Sequence, residues 1–539
     1  MSASEVELFN PFPGLRPFET DEYHLFFGRE GQSDELMARL QRTRFLAVVG
    51  TSGSGKSSLI RAGLLPSLYG GLMAGVGSGW RVCVMRPGHD PVGNLACALS
   101  EEGVLGGGGQ DGELQQALIE ATLRRSTLGL VDTTRQARLD AHENLLVVVD
   151  QFEELFRFRS LREARGGGDD AAAFVKLLLE ASAQREVPVY VVLTMRSDFL
   201  GDCAQFWGLP EAINEGQYLI PRMTRDERRE AITGPVAVGG GEITPSLVNR
   251  LLNDMGDSPD QLPILQHALM RTWDEWAGMS PEHRARHRGQ AIDLCCYEAI
   301  GGMADALSRH ADEAWGELRD DRERGIAEKM FKALAERVSE DREVRRPTRL
   351  REICGAAEAN QDEVAAVIEV FRREGRSFLM PPAGVELEPD TVIDVSHESL
   401  IRNWQRLKKW TAEEAQSARF YARLADAAAM RDEGQGGYLA DPTLQLMLDW
   451  REQARPNAAW AARYRHDFSR VMAFLDESRE HRDALAAREQ ERQRREIEQT
   501  RAFAEQQART NRKLRLMTAA MALLLVLALG AAGYAVAKR

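Results

Sequence analysis

Eight consecutive residues carry the clearest chemistry: Gly50-Thr51-Ser52-Gly53-Ser54-Gly55-Lys56-Ser57. They follow the apolar run Phe45–Val49 and lead into Leu59-Ile60-Arg61-Ala62, in the order strand, glycine loop, helix start. Wrapping a triphosphate takes backbone N–H groups that point inward at close approach. Gly50, Gly53 and Gly55 supply that freedom, and the helix start after Ser57, with Ser58 next in line, adds its dipole. In this pattern Lys56 reaches the β- and γ-phosphates and the Ser57 hydroxyl ligates Mg²⁺. Thr51, Ser52 and Ser54 complete the phosphate-binding stretch. The spacing predicts a nucleoside triphosphate site.

Two more strand tips could serve that site. Leu145–Val149 is apolar and ends in Asp150, followed by Glu153 and Glu154. In a P-loop sheet this strand is expected near the P-loop strand, with Asp150 holding Mg²⁺ directly or through water. Glu153 or Glu154 would orient and activate the attacking water. Val191-Val192-Leu193 carries Thr194 and Arg196 at its carboxyl end, where ligands of open α/β sheets bind. Arg196 is placed there to sense a γ-phosphate, with Asp198 to orient it.

Elements to position these tips are legible. Apolar strands are expected at Arg81–Met85, Leu145–Val149, Val189–Leu193 and Tyr218–Ile220, with helical patterns between them. That alternation implies a parallel sheet covered by helices on both faces. Gly106–Gly109 and Gly166–Gly168 read as surface loops. From Met223 to Arg342 strand signals vanish and helical patterns such as Leu262–Trp276 and Gly302–Leu318 take over. Pro347 to Trp410 reads helix, helix, then short extended runs at Ser377–Met380 and Thr391–Val395, the outline of a winged helix. Glu413–Ser478 is helical. His481–Arg515 is a charged stalk whose apolar positions are too sparse for a heptad seam. The expected organisation is an α/β P-loop NTPase domain (10–222), a helical lid (223–342), a winged helix (343–410), a helical region with stalk (411–515) and a transmembrane helix (516–537).

Composition narrows the function. The chain has 539 residues and a net charge of −13, which argues against a general nucleic-acid coat. Its six cysteines show no metal-ligand spacing and read as buried thiols in a reducing compartment. The N-terminus has no signal-peptide pattern. Leu516–Ala537 carries no charge and is long enough to span a bilayer. Arg509, Arg512, Lys513 and Arg515 precede it and Lys538-Arg539 follow it, a bias that favours a cytoplasmic N-terminal side. The expectation is a single-pass tail anchor in the inner membrane, the bulk of the chain lying in the cytoplasm.

Together these motifs resemble STAND-class signalling NTPases, most closely the bacterial "novel STAND" group. Asn10–Phe18 and Leu25–Glu30 look like that group's lead-in to the P-loop. The resemblance implies that Gly28 and Arg29 lie on the base side of the site, and that Asp150, Glu153 and Glu154 match the split acidic pattern of NACHT-type relatives. Thr194 and Arg196 match its sensor element. Pro259–His267 resembles the Pro-bearing turn of a helical domain that caps the nucleotide, with Pro263 toward it. Ser396–Ile401 resembles the winged-helix motif whose histidine, here His397, touches the β-phosphate of resting ADP. The resemblance runs from Asn10 to Trp410. It departs from the group in that only nine residues precede the core and no repeat sensor follows it. Either the membrane segment would then be the output element, or sensing and output would belong to protein partners.

The resemblance implies an ATP/ADP switch with Mg²⁺, slow hydrolysis as a timer, ATP-dependent homo-oligomerisation and a role in signalling, with defence against phage among the roles suggested. The choice of ATP over GTP rests on it alone. Two other readings compete. A winged-helix DNA-binding regulator would present Gln361–Gly375, but Asp362, Glu363, Glu369 and Glu374 there outnumber Arg372 and Arg373, which is poor for phosphate contacts. A constitutive ATPase acting on protein partners lacks a pore-loop signature.

Overall fold

The computed structural model describes residues 9–73, 79–106, 112–140, 142–156, 170–256, 261–279, 291–339, 342–464 and 467–537. Gly107–Gly109, Gly166–Gly168, Pro259-Asp260 and Lys538-Arg539 lie outside the described residues. The chain forms two compact units, Met1–Ala412 and Glu413–Arg539.

In the first unit five parallel strands make one sheet: β1 (Phe45–Gly50), β2 (Gly79–Met85), β3 (Glu143–Val149), β4 (Val189–Arg196) and β5 (Gln217–Leu219), in the order β2-β3-β4-β1-β5. Strand alternation explains the two-faced core. Phe45, Ala47 and Val49 join one apolar cluster with Leu95, Leu130 and Phe174, while Leu46 and Val48 join another with Leu36, Leu40 and Ile60. Leu46, Val48 and Val49 are fully buried, each worth about 1.5–3 kcal/mol relative to exposure. β4 separates β3 from the P-loop strand, so the tips of β1, β3 and β4 converge at one sheet edge. Gly50 lies in register with Arg196, and Val149 with Leu193.

Helices Arg225–Val238, Pro245–Asp254, Gln261–Gly278 and Gly302–Gly316 follow, around a core with Trp273, Trp276 and Tyr297. A further core joins helices Asp321–Leu334, Leu350–Ala357 and Gln361–Arg372 to a three-stranded antiparallel sheet. Its strands are β8 (Thr348–Arg349), β9 (Leu379–Met380) and β10 (Val392–Val395), in the order β8-β10-β9. One expectation fails here. The stretch before Arg342 is not free of strand, because β6 (Ala335–Ser339) pairs with β7 (Arg342–Arg345) as an antiparallel hairpin. Its sequences, AERVS and REVR, hold only one β-branched residue each, so the ladder rather than propensity makes the strand.

The N-terminal lead-in ties these layers together. Phe12 packs into the helical core, Leu15 into the core around the small sheet, and Phe18 against Leu25 and Ala62. Asn10 Nδ2 donates to the Met270 carbonyl and to Asp274 at 3.0 and 2.7 Å. Gly14 has φ +73° and is in van der Waals reach of Met270, where a Cβ would come 2.8 Å from the sulfur.

In the second unit Tyr421, Leu424, Trp450, Phe474 and Leu475 form a small helical core. Its last helix, Phe468–Ala537, is 70 residues long, about 105 Å at 1.5 Å per residue. Within it an 18-residue window reaches a mean hydropathy of 2.2 with none of its surface buried, long and apolar enough to cross a membrane. The six cysteines are free thiols, but they are not uniformly buried: Cys97 is exposed and Cys295 and Cys354 are partly so.

Candidate functional site

The P-loop takes the conformation its glycines permit. Gly53 and Gly55 have φ of +70° and +86°, a region costly for any residue with a Cβ. A helix begins at Lys56 and runs directly into a π-helical stretch, Leu59–Leu64, a distortion that recurs at functional sites. Lys56 Nζ donates to the carbonyls of Gly50 and Thr51 at 3.0 and 2.8 Å, folding its ammonium over the loop. Burial holds the Lys56 pKa below its ordinary value, against the pull of Glu153 and Asp150.

The acids of β3 meet this loop from across β4. Ser57 Oγ donates to Asp150 Oδ1 at 2.8 Å, and Thr194 Oγ1 donates to the same oxygen at 2.6 Å. Asp150 Oδ2 is buried with no hydrogen bond, with Arg61 4.0 Å away. Burial alone would raise the Asp150 pKa; Arg86, the Thr194 hydroxyl, Arg61 and the Ser57 hydroxyl reverse it, so the carboxylate is held charged. A hydroxyl and a charged carboxylate with one unused buried oxygen are hard oxygen donors, a set that suits Mg²⁺ shared with phosphate. Among the described residues no cluster of three or more His, Cys, Asp or Glu offers another metal site.

The two glutamates separate. Glu153 faces a cavity of about 160 Å³ together with Ser52, Gly53, Gly55, Lys56 and Ser57. Its Oε2 accepts the Arg196 backbone N–H at 3.3 Å, and burial pushes its pKa up. Glu154 instead accepts from the Gly88 N–H at 3.0 Å and does not line that cavity. Burial raises its pKa to about 7.

The cavity is completed from far along the chain. Ser58, Pro263, Arg196 and His397 all line it, and so do Arg86, Gln151, Arg345 and Glu398, whose local sequence does not single them out. Arg345 Nη2 donates to Gln151 Oε1 and its Nη1 to Asp394 Oδ2, both at 2.6 Å. Glu398 accepts two bonds from Arg196 Nη1, at 2.9 and 2.7 Å, and one from Ser52 Oγ at 3.0 Å. Arg196 is held on its other edge by Asp198, with Nε and Nη2 at 3.0 and 2.9 Å from the carboxylate. His397 caps helix Glu398–Asn403. Its Nδ1 accepts the Ser399 N–H at 3.1 Å, which leaves Nε2 as the proton-bearing nitrogen of the neutral ring. Burial, then Arg345, lowers its pKa to about 4, so the ring is neutral at pH 7.

Gly28 and Arg29 lie elsewhere. Gly28 has φ +79° and packs on the Glu227 carbonyl, where a Cβ would come within 2.3 Å. Arg29 is buried and donates to the carbonyls of Ser54 and Pro221 at 3.0 and 2.9 Å, bracing the loop from behind. It lines a second cavity of about 370 Å³ with Thr51, Ser54, Met223 and Met255, sharing Gly53 and Leu262 with the first.

Comparison with known proteins fits this geometry. The family model described as Novel STAND NTPase 1 matches residues 11–436. The chain belongs to that family. As a P-loop NTPase of the novel STAND family it is built to bind a nucleotide. No curated protein matches it. Solved structures overlap it weakly. The ORC2 protein of Aeropyrum pernix, in ADPNP–ADP complexes, is 11% identical with a TM-score of 0.36, over 71% of this chain and 94% of its own. A Walker-type ATPase of Pyrococcus abyssi is 14% identical with a TM-score of 0.34, over 72% and 98%. Domain III of the replication initiation protein DnaA of Thermotoga maritima is 14% identical with a TM-score of 0.27, over 55% and 93%.

Proposed function

We propose that this STAND NTPase is a membrane-anchored ATP/ADP switch that oligomerises to signal. The observation that carries the reading is the make-up of one cavity: P-loop residues Ser52, Gly53 and Gly55–Ser58, the β4 residue Arg196 and the distant segment Ser396–Glu398 share it. A ligand in such a cavity touches the sheet and that segment at once, so its phosphates can bias how they stay together. The segment follows two helices and a short antiparallel sheet, which we read as a winged helix (343–410), with the mainly helical stretch 223–342 as the lid.

In this reading Lys56 and the loop N–H groups bind the β-phosphate of either nucleotide. The neutral His397 donates Nε2–H to ADP and holds the resting form. Ser57 and Asp150 would hold Mg²⁺, which would supply charge neutralisation to the phosphates. Glu153, facing the cavity, takes the proton of a water that attacks the γ-phosphorus. The bond from that phosphorus to the β–γ bridging oxygen breaks, leaving ADP and inorganic phosphate. A full swing from 1:99 to 99:1 needs about 5.5 kcal/mol of difference between the two nucleotides. Charge-assisted bonds from Arg196 to a γ-phosphate, at about 1.5–3 kcal/mol each, are of the right size. The apolar stretch Leu516–Ala537 anchors the chain in the inner membrane, the basic residues before it keeping the NTPase cytoplasmic.

The test uses the full chain. Cell fractionation is expected to recover it with membranes. After detergent extraction its mass, by light scattering, is expected to rise with a non-hydrolysable ATP analogue and to stay low with ADP. Equal mass in both nucleotides would rule out a nucleotide-driven assembly, and recovery in the soluble fraction would rule out the anchor.

A further inference from the structure

Glu398 is the point where P-loop, β4 tip and distal segment meet. Its carboxylate takes both bonds from Arg196 Nη1 at 2.9 and 2.7 Å, one from the P-loop hydroxyl of Ser52 at 3.0 Å and one from Arg402 Nη2 at 3.0 Å. It is buried on the wall of the phosphate cavity, in the field of Lys56. An anionic oxygen pair held by one arginine nitrogen and a P-loop hydroxyl is what a terminal phosphate would present at the same groups. The other edge of the Arg196 guanidinium is already bound to Asp198. Nη1 is therefore the corner that Glu398 and an incoming phosphate must share.

We infer that Glu398 is the specificity-determining residue of this site: it stands in for the γ-phosphate, competes with it for Arg196 and Ser52, and so makes the closed form select nucleoside diphosphate over triphosphate. The inference rests on the reading that the P-loop binds nucleotide. A diphosphate reaches Lys56 and Ser57 and leaves the Glu398–Arg196 pair whole. A triphosphate brings its third phosphate against a carboxylate, two anions at one cation. The conflict is relieved only if Glu398 withdraws. Glu398 opens a short helix whose Leu400 and Ile401, with Trp404 just beyond, are fully buried in the core around the small sheet, so withdrawal carries that layer with it. The same residue thus discriminates between the nucleotides and transmits the result.

The experiment measures affinity for ADP and for adenylyl imidodiphosphate by calorimetry on the detergent-extracted full chain. Wild type is expected to favour ADP. Glu398→Gln keeps the size and the helix start but loses the charge. It is expected to tighten the imidodiphosphate by about tenfold, or 1.4 kcal/mol, with ADP changed less than about twofold. With Arg196→Ala already present, Glu398→Gln should bring no further gain, because the shared cation is gone. If Glu398→Gln does not fold, Glu398→Asp, which draws the carboxylate back by one methylene, is expected to shift the ratio the same way by about threefold, close to 0.6 kcal/mol. An unchanged ratio, an equal change for both nucleotides, or a gain that survives Arg196→Ala would overturn the inference while leaving the nucleotide site intact. Failure of the wild-type chain to bind either nucleotide would instead overturn the reading on which it rests.

Discussion

The phosphate cavity has two walls made in different ways. The P-loop wall is contiguous: Ser52, Gly53 and Gly55–Ser58 come from one short loop and helix start, and the positive φ of Gly53 and Gly55 is a property of residue type. The other wall is assembled. Arg196 and Glu398 are 202 residues apart, Ser52 and Glu398 346 apart, and Arg345 and Gln151 194 apart. A contiguous wall keeps its shape whenever its strand and helix form. An assembled one exists only while separate layers are docked, which is what a switch requires of it. The contrast teaches where binding and regulation reside. Changes in the first wall should alter whether nucleotide binds; changes in the second should alter which nucleotide is kept and for how long.

The largest effect is expected at Lys56. Lys56→Ala removes two charge-assisted phosphate contacts of about 1.5–3 kcal/mol each, so nucleotide affinity by calorimetry should fall by about a thousandfold. ADP and ATP analogue should fall together, since the residue belongs to the wall common to both. Unchanged affinity would break the assignment.

Next come the glutamates. Glu153→Gln should slow phosphate release by about a hundredfold, the usual size of a general-base contribution, with binding retained. Glu154→Gln should change the rate by less than about threefold, or 0.6 kcal/mol, because its carboxylate is turned to Gly88. Equal losses at both positions would mean that the cavity wall does not choose the base.

The smallest effect concerns His397. His397→Ala should speed ADP release by about tenfold, the loss of one bond of about 1.5 kcal/mol, with little change for the ATP analogue. It also carries a pH signature. The His397 pKa is lowered to about 4 in the fold, from an ordinary 6.5. The unfolded chain therefore binds more protons between those values, and the stability this group contributes is fully present above pH 6.5 and lost as pH falls toward 4. His267, lowered to about 3 by burial, acts in the same direction. Thermal melting should drop over this window, and His397→Asn, which keeps a capping acceptor, should make the drop shallower. An identical slope in the variant would assign the acid sensitivity to the other buried histidines.

Much of the first wall was legible beforehand. The strands at Phe45, Arg81, Leu145, Val189 and Tyr218 are apolar runs that a sheet buried on both faces demands, and GxxxxGKS states its own loop geometry. His397 and Pro263 were legible through resemblance, and both line the cavity. Arg29, which the resemblance puts on the base side, braces the loop through the carbonyls of Ser54 and Pro221 and lines the adjoining cavity. Glu398, Arg345 and Arg86 gave no signal, because a charged residue in a loop or helix start reads as solvated until a partner is known. The β6–β7 hairpin was missed because its strands are polar and their pairing is tertiary.

Taken alone, the amino-acid order determined the P-loop, the acid at the end of β3, the arginine at the end of β4 and an apolar C-terminal helix long enough to cross a membrane. Each depends on residue types within one turn or one strand, where covalent connectivity sets the geometry. Only the tertiary structure decided that β4 lies between β1 and β3, that Glu153 rather than Glu154 faces the cavity, and that Glu398 grips Arg196. Those outcomes depend on which layers pack together, and packing brings side chains hundreds of residues apart within 3 Å of each other in ways that no local pattern encodes.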